Sequence, residues 1–482
     1  MSSRTARRRL SAQARSRLSA QARNRLSAQA RSRRANELGL GLMAVVVTAG
    51  GYVLLLLADK PNLPADLWVF LTAVIGLYVV AHLAVRRFAP RADPTLLPIV
   101  AILNGIGFFT ISRIDRDLAR VQAIWTAVGV GAFVVTLAVV RHIRTIERYR
   151  YTFLLLGVGA LLVPLLPGVG REINGARLWV RIGPVNFQPG EAAKVLLVVF
   201  FAAYLVDKRE LLAAGTRRIG RLALPDPKHL GPLLLAWGFS ILVMVRQKDL
   251  GSSLLFFAVF AAMLYIATAR SSYLLVAFVM FIGGATVAYQ LFGHVQERVS
   301  TWIDPWSTSQ SSGFQLVQSL FAFGTGGFAG TGLGLGSPQK IPNAATDFVL
   351  SAIGEELGLL GVVAVCMLFL LFVGSGLRIA LQAERPFSKL FAAGLTTIIG
   401  VQTFVIIGGV VRVIPLTGVT LPFISYGGSS LIANFVIVAL LLRVSDETVA
   451  RAEAPGARAT ARTAVGAGSV PGRKGGSTPA RR

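Results

Sequence analysis

The sequence is poor in the residues on which many soluble proteins depend. Its one cysteine, Cys366, lies in an apolar run, so an internal disulfide is excluded and the redox compartment stays open. The four histidines are scattered with no spacing typical of a metal site, and a serine triad has no support. Charged residues make up 15% of the chain, against about 25% in soluble domains. A soluble globular enzyme is therefore not expected.

Apolar residues are abundant instead. Of the 482 residues, 54% are hydrophobic, and the mean hydropathy is +0.64. The predicted fold class is an all-α polytopic membrane protein with about twelve transmembrane helices, because that many apolar runs approach the roughly 20 residues that cross a bilayer. No cleavable signal peptide is indicated. The spans are expected near residues 38–58, 66–85, 95–112, 121–140, 151–167, 190–206, 230–246, 250–269, 272–292, 348–374, 388–411 and 421–443.

The net charge of +27 sits largely in two tails and in short loops. With twelve spans, all the loops rich in Lys and Arg fall on one side together with both termini; these are residues 85–91, 141–150, 207–221 and 377–389. The positive-inside rule places that side in the cytoplasm of a multi-pass plasma-membrane protein. Residues 168–191, 247–249 and 293–347 then lie outside. Adhesion to anionic membrane lipids is a secondary expectation, and no nucleic-acid partner is expected.

Three regions are expected along the chain. Residues 1–36 carry octapeptide repeats of the type RLSAQARS and form a disordered basic tail, either solvated or bound to a cytoplasmic partner. Residues 37–450 form the transmembrane domain. Residues 451–482, rich in Arg, Gly, Ala and Pro, form a second disordered basic tail.

The large extracellular loop, residues 293–347, is the first candidate site, because a membrane protein that keeps so long a polar excursion usually uses it. Asp304 lies between Trp302 and Trp306, whose aromatic rings suit a membrane interface or a sugar face. Seven glycines between residues 324 and 336 would let the backbone approach a ligand closely, although they match no nucleotide-binding motif.

A second cluster precedes the sixth span. Pro189 suits the first turn of a helix, which puts Glu191 and Lys194 three residues apart on one face, where they can pair. The helix N-terminus there also favours an anion, and Arg177 adds positive charge on the same side. The alternative is an interfacial salt bridge that only fixes topology.

Further polar residues lie on the same predicted side. Lys248 and Asp249 occupy a tight turn between two apolar runs, where a purely structural role is an equal alternative. Asp347 precedes Glu355 and Glu356, which lie within an apolar run. Because adjacent helical residues point in different directions, no more than one of the two glutamates needs to face the interior. Polar groups at membrane depth are costly, so each marks a functional hypothesis.

Five runs of residues resemble the signature runs of the SEDS family, to which RodA and FtsW belong. They are QPGEAAK (188–194), QKDLGSS (247–253), SGFQLVQSLFAFGTGG (312–327), TDFVLSAIGEELGLLG (346–361) and PLTGVTLPFISYGGSS (415–430). The resemblance implies a SEDS-like bundle whose usual ten spans are extended by two. It also implies a peptidoglycan glycosyltransferase that polymerises lipid II at the outer face, during cell elongation or division, with a class B penicillin-binding protein.

The resemblance also implies roles for the site residues. We hypothesise that Asp304 is the catalytic base and that Lys194, Arg177 and Lys248 clamp the substrate pyrophosphate. Glu191 would orient Lys194, and a divalent cation, Mg²⁺ or Mn²⁺, could share the clamp, although the sequence shows no dedicated metal site. Gln315 joins the substrate-binding set. The supporting residues are Asp249, Asp347, Glu355, Ser425 and Tyr426.

The chain departs from the family pattern at several positions. Gly190 and Lys248 stand where the family has serine and proline. Alignment on Trp302 puts the catalytic aspartate at Asp304, whereas ungapped alignment from the following Gly-Phe-Gln run puts Thr308 there. We prefer Asp304 because that stretch offers no other carboxylate. With Thr308 in that position, the enzyme would lack its base.

Two other classes of function stay open. Many spans with charged residues at membrane depth also describe a secondary transporter or a flippase for a lipid-linked precursor. Polar residues clustered on one face rather than at the midplane argue against transport. The third class is a non-enzymatic scaffold for the division or elongation machinery, recruited through its tails. Within the SEDS family, the extra spans and the lack of a long proline-rich tail favour RodA over FtsW.

Overall fold

The computed structural model describes residues 34–58, 66–173, 175–183, 185–213, 217–219, 222–224 and 227–465. Ten helices in these ranges are long and apolar enough to cross a membrane, and two shorter apolar helices, Arg150–Leu165 and Trp237–Arg246, complete the set. These twelve helices correspond to the predicted spans, so the polytopic helical class is confirmed. The octapeptide repeats and residues 466–482 lie outside the described residues.

The helices are numbered in chain order. They are α1 Arg34–Ala58, α2 Asp66–Phe88, α3 Leu96–Ile114, α4 Arg116–Val139, α5 Ile143–Arg148, α6 Arg150–Leu162, α7 Pro189–Asp207, α8 Arg209–Ala213, α9 Pro227–Arg246, α10 Leu250–Thr268, α11 Ser271–Leu291, α12 Gly293–Ile303, α13 Phe314–Gly326, α14 Val349–Gln382, α15 Pro386–Val410 and α16 Gly428–Val465. Single 3₁₀ turns follow α6 and precede α14.

Two loops contain short strands that the all-α prediction omits. An antiparallel three-stranded sheet lies before α7, and a hairpin lies between α8 and α9. Apolar and polar residues partly alternate in ARLWVRI, and Gly175 and Gly183 take positive φ in the adjoining turns, which together are the signal for the sheet. The strands are β1 Gly170–Ile173, β2 Ala176–Ile182, β3 Val185–Phe187, β4 Arg217–Ile219 and β5 Leu222–Leu224.

The core of the bundle is formed by α3, α7, α15 and α16, most of whose apolar residues are buried. Helix α11 is at the periphery: apart from Tyr273, its residues are partly or fully exposed. An apolar helix that exposes its side chains in this way requires lipid around it, because water would make such exposure costly.

Helices α1 and α2 pack against the following part of the bundle. A Cβ atom on Gly105 of α3 would overlap the Thr48 hydroxyl, so glycine is what permits α1 to approach. Glu37 joins α1 to α2, with its carboxylate oxygens 2.8 Å from His82 Nδ1 and 2.9 Å from Arg86 Nη2. Such buried pairing satisfies charges that would be costly inside a membrane.

The loops meet at two ends of the bundle. At the first, which we call the basic end, the backbone N–H of Arg91 donates to Asp446 Oδ1 of α16 (2.8 Å). At the second, which we call the site end, the backbone N–H of Gln188 donates to Ser429 Oγ at the start of α16 (2.9 Å). These two contacts place the loops 85–91 and 168–191 at opposite ends of the membrane-spanning part of α16. Which end faces the cytoplasm stays a prediction.

Two segments differ from their predicted form. Helix α16 continues to Val465, beyond the predicted tail boundary at residue 450. The loop 293–347 is more ordered than a polar excursion suggests, since it contains α12 and α13.

Candidate active site

Asp304 follows the last residue of α12 at the site end. A residue before proline is disfavoured in the helical region, so Pro305 explains why the helix stops here. The Asp304 side chain is exposed, and its Oδ1 accepts a hydrogen bond from the backbone N–H of Trp306 (3.1 Å). This turn fixes the direction of the carboxylate while leaving the side chain accessible to a substrate.

Arg412 holds the C-terminal end of α12 from the segment between α15 and α16. Its Nε donates to the Trp302 carbonyl oxygen (2.8 Å), and its Nη2 donates to the Ile303 carbonyl oxygen. In return, Trp302 Nε1 donates to the Arg412 carbonyl oxygen (3.2 Å). A cation at these carbonyls also complements the helix dipole. The residues immediately before Asp304 are thereby fixed to a different part of the chain.

Glu191 and Lys194 form the buried ion pair that their spacing predicts. Glu191 Oε2 lies 2.8 Å from Lys194 Nζ, and the two residues are only 5% and 3% exposed. Lys194 Nζ also donates to Gln402 Oε1 (3.1 Å), and Gln402 Nε2 donates to the Thr420 carbonyl oxygen (2.8 Å). The pair is therefore connected to the same segment, residues 411–427, that carries Arg412.

Asp249 lies beside this pair at the N-cap of α10. Its Oδ1 accepts a hydrogen bond from the backbone N–H of Ser252 (2.9 Å). Burial raises the pKa of Asp249, the bonds from Ser252 lower it, Glu191 raises it and Lys194 lowers it. Asp249, Glu191 and Lys194 thus form one electrostatic cluster.

Residues 411–427, which we call the linking segment, connect the two parts of the site. Arg298 of α12 donates through Nη1 to the Leu416 carbonyl oxygen (3.1 Å). A Cβ on Gly251, in the first turn of α10, would lie 2.8 Å from the Thr417 carbonyl oxygen, so the segment also packs closely on α10. The linking segment therefore touches the helix that carries Asp304 and the helix that follows Asp249.

Ser425 and Tyr426, at the other end of the linking segment, form hydrogen bonds with backbone groups. Ser425 Oγ accepts from the backbone N–H of Leu421 (2.9 Å) and donates to the Thr346 carbonyl oxygen. The backbone N–H of Tyr426 donates to the Ala345 carbonyl oxygen (2.8 Å). These bonds position the chain next to Asp347, and the supporting role of both residues in the site stays a prediction.

Asp347 lies near Arg298 at Gly418. A Cβ atom on Gly418 would be 3.9 Å from Asp347 Oδ2 and 3.7 Å from Arg298 Nη2. Burial raises the pKa of Asp347 to about 6, although the Arg298 guanidinium and a hydrogen bond with Thr346 oppose the shift. Asp347 is thus a carboxyl group that titrates close to neutral pH at the site end.

Helix α14 is broken at Gly358 (φ +65°, ψ −164°), and the glycine-rich segment fills the break. The backbone N–H groups of Leu359 and Leu360 donate to carbonyl oxygens of residues 327 and 328 instead of to their own helix (3.0 and 3.3 Å). A Cβ on Gly326 would overlap the Gly354 carbonyl oxygen. Close approach is therefore what these glycines permit, but they approach the backbone of α14 rather than an open ligand site.

Glu355 and Glu356 are both buried. The Glu355 carboxylate accepts from the backbone N–H of Ser337 (2.8 Å), and Glu356 Oε1 lies 3.1 Å from Arg113 Nε. Both glutamates therefore face the interior, although one would have been enough. This is possible because the glycine-rich segment covers the helix on the side where the second would meet lipid or water. Their contacts are structural.

Three predicted residues lie apart from this network. Arg177 on β2 and Lys248 in the α9–α10 turn are exposed, and Gln315 is half-buried in the first turn of α13. Among the described residues, none of the three forms a hydrogen bond or ion pair with Asp304 or Lys194. Thr308, the alternative position for the catalytic group, has its hydroxyl buried against Gly313.

Sequence reasoning missed Arg298, Arg412 and Gln402. Gln402 and Arg412 are polar residues on or directly after the apolar helix α15, which was the available signal for them, whereas Arg298 lies on the polar helix α12. Their partners lie far away in the chain, so no local pattern indicates the pairing. In the part of the chain that the structure describes, no group of three or more His, Cys, Asp or Glu side chains could hold a metal ion.

Fold and site together define an integral membrane protein whose polar chemistry is concentrated at one end of a helical bundle. Residues 92–450 match the model of the FtsW/RodA/SpoVE family of cell cycle proteins, and the chain belongs to this family. The matched range contains ten of the twelve apolar helices, so α1 and α2 are the two-helix extension that the resemblance implied.

Several proteins of named activity are similar to this chain over most of its length. The peptidoglycan glycosyltransferase RodA of Mycobacterium bovis is 44% identical over 423 residues, 86% of this chain and 90% of the relative. RodA of Mycobacterium leprae is 47% identical over 381 residues, 77% of this chain and 81% of the relative. A probable peptidoglycan glycosyltransferase FtsW of Geobacter metallireducens is 35% identical over 341 residues, 70% and 85% of the two chains.

Two solved structures share the fold. One, described as the structural coordination of polymerization and crosslinking by a peptidoglycan synthase complex, matches with a TM-score of 0.61 and 27% identity, covering 74% of this chain and 98% of that one. The other, an aspartate-to-alanine mutant of the rod shape determining protein RodA of Thermus thermophilus, matches with a TM-score of 0.51 and 26% identity over 73% and 97%.

Proposed function

We propose that this protein is a peptidoglycan glycosyltransferase that polymerises lipid II into glycan strands at the outer face of the cytoplasmic membrane. RodA relatives of 44–47% identity are named peptidoglycan glycosyltransferases. The observation on which the mechanism rests is the exposed Asp304 carboxylate, fixed by Arg412 to the linking segment that also reaches the buried Lys194.

Chain growth requires a sugar hydroxyl of one lipid-linked molecule to attack the anomeric carbon of another. As the new glycosidic bond forms, the bond from the anomeric carbon to the lipid pyrophosphate breaks, and the intact lipid pyrophosphate leaves with the electron pair. Asp304 accepts the proton of the attacking hydroxyl, which contributes typically 10²–10⁴-fold to the rate. Direct displacement inverts the anomeric centre, which fits an α-linked donor and a β-linked polymer.

The departing pyrophosphate needs positive charge. Lys194 Nζ has two partners, Glu191 and Gln402, so its third N–H donor would bind a phosphate oxygen that enters this buried position. Arg177 and Lys248 are exposed and would approach from solvent. A divalent cation would bind through one or two carboxylates together with substrate phosphates, so it needs no dedicated protein cage. Asp249, which interacts electrostatically with Glu191 and Lys194, is one carboxylate that would take this role.

The cellular setting is the second part of the proposal. Polymerisation at the outer face requires the basic end to be cytoplasmic, as the positive-inside rule predicts. The partner would be a class B penicillin-binding protein that crosslinks the strands. A solved neighbour that comes from a synthase complex coordinating the two activities supports this partner. The RodA relatives favour a role in cell elongation.

The proposal is tested by glycan synthesis from lipid II with the purified full chain and its transpeptidase partner. Asp304→Asn removes the base while keeping the side-chain shape, and it should lower the polymerisation rate by roughly 10²–10⁴-fold. Glu297→Gln is the matched control, because Glu297 is also an exposed carboxylate on α12. It should keep wild-type activity. Full activity of Asp304→Asn would remove the base from the mechanism.

The same assay separates the enzyme from the transporter. A polymerase makes glycan strands in detergent, whereas a flippase requires a sealed bilayer. Wild-type protein that produces no strands in detergent, but moves lipid II across vesicles, would overturn the proposed function.

A further inference from the structure

The basic end carries a polar cleft that the proposed reaction does not use. It lies between α5, the start of α15 and the part of α16 near residue 450, and its volume is about 790 Å³. Its lining comes from three separate parts of the chain, which the fold brings together. The charged groups that line it are Arg144, Arg148, Arg385, Arg451, Glu147 and Glu447.

The cleft has an excess of positive charge, since four arginines face two glutamates. Glu447 is already engaged: one oxygen accepts a hydrogen bond from the first backbone N–H of α5 (2.6 Å), and the other lies 3.7 Å from Arg451 Nη2. Within the described ranges, the side chains of Arg144, Arg148 and Arg385 form no hydrogen bond or ion pair. Three guanidinium groups therefore border one polar volume with their donors available.

The cleft lies where apolar helices end. Val139 is the last residue of α4 and is 74% exposed, and Leu381, next to the last residue of α14, is 76% exposed. Tyr149, which lines the cleft, is 53% exposed, and tyrosine is enriched at the level of lipid headgroups. The cleft thus lies at the level where the exposed apolar ends of α4 and α14 are followed by charged residues.

We propose that this cleft binds the headgroup of an anionic phospholipid that carries two phosphate groups. Two phosphodiesters match the net charge of the lining, and guanidinium groups bind phosphate oxygens in bidentate pairs. Basic pockets between membrane helices bind headgroups of this kind on the cytoplasmic side. The bound headgroup ties α5 to α15 and α16, so it also stabilises the basic end against separation of these helices.

The test measures lipid retention by native mass spectrometry on the delipidated full chain, titrated with cardiolipin or with phosphatidylglycerol, which carries one phosphate. Wild type should bind cardiolipin more tightly than phosphatidylglycerol. The triple variant Arg144→Gln/Arg148→Gln/Arg385→Gln should weaken cardiolipin binding by roughly 100-fold, because each arginine at a headgroup contributes about fivefold. Cardiolipin should also raise the melting temperature of wild type and not of the variant.

A matched control removes the same charge elsewhere. Arg120→Gln/Arg378→Gln/Lys389→Gln changes three exposed cations outside the cleft, and it should keep cardiolipin binding within a few-fold of wild type. Both triples should melt like wild type without lipid, which checks folding. Equal losses in the two triples, equal affinity of wild type for the two lipids, or displacement of cardiolipin by equimolar inorganic pyrophosphate would each overturn the proposal.

Discussion

The buried pair of Glu191 and Lys194 gives the sharpest test of how the site is built. Replacing Glu191 by leucine leaves the Lys194 ammonium in a position that is 3% exposed, with Gln402 Oε1 as a remaining acceptor. Removing one partner of a buried ion pair costs about 3–5 kcal/mol. Since Gln402 still accepts one hydrogen bond, we expect the lower end of that range.

Removing both charges should be far less harmful. Glu191→Leu/Lys194→Met replaces the pair by apolar side chains of similar volume, a change that is often neutral in protein interiors. The Gln402 oxygen then loses a donor, which costs about 1–3 kcal/mol. The double variant should therefore be more stable than Glu191→Leu, although it contains one more substitution.

The measurement is the free energy of unfolding in mixed detergent micelles, together with the polymerisation rate. If Glu191→Leu is as stable as wild type, or if the double variant is no more stable than Glu191→Leu, the buried pair does not carry the desolvation penalty assigned to it. A double variant that is stable but inactive would assign the pair to substrate binding. A stable and active one would leave it a purely structural role.

Two further predictions concern the neighbouring loops. Burial raises the pKa of Asp347 to about 6 from 3.8, so its proton stabilises the fold at low pH and this contribution is lost as the pH rises towards and through 6. Asp347→Asn should therefore raise the melting temperature at pH 7 and not at pH 4; equal shifts at both would contradict the burial. Gly326→Ala should lower the free energy of unfolding by about 1–3 kcal/mol through overlap with the Gly354 carbonyl, whereas Gly324→Ala, with open space around it, should be neutral or stabilising in the same unfolding assay.

Local patterns were enough to predict the spans and one contact of the site. Pro189 begins α7, and the three-residue spacing of Glu191 and Lys194 gives the ion pair, because both signals are contained in one turn of helix. The same reasoning gave the tight turn that ends in Asp249. The catalytic role of Asp304 stays a prediction, since geometry fixes its exposure and not its reactivity.

The contacts that assemble the site could not be read in the same way. Arg412 binds carbonyl oxygens of residues 302 and 303, and Gln402 joins Lys194 to Thr420, across separations that follow only from how the helices pack. The glycine-rich segment was expected to approach a ligand, and this expectation was wrong for the same reason, because its partner depends on how the helices pack. Its composition indicates close approach to something, but the partner, the backbone of α14, is defined by a break that no periodicity marks.

That break has a mechanical consequence. In a continuous helix, a displacement of the first turns would be transmitted along the whole length of the helix into the membrane. Here the part of α14 around Gly358 is joined by backbone hydrogen bonds to the glycine-rich segment, residues 326–332, which lies beside it. The stretch before Gly358, whose residues 349–356 are all buried, is therefore held by this lateral contact independently of the part of the helix that continues to Gln382.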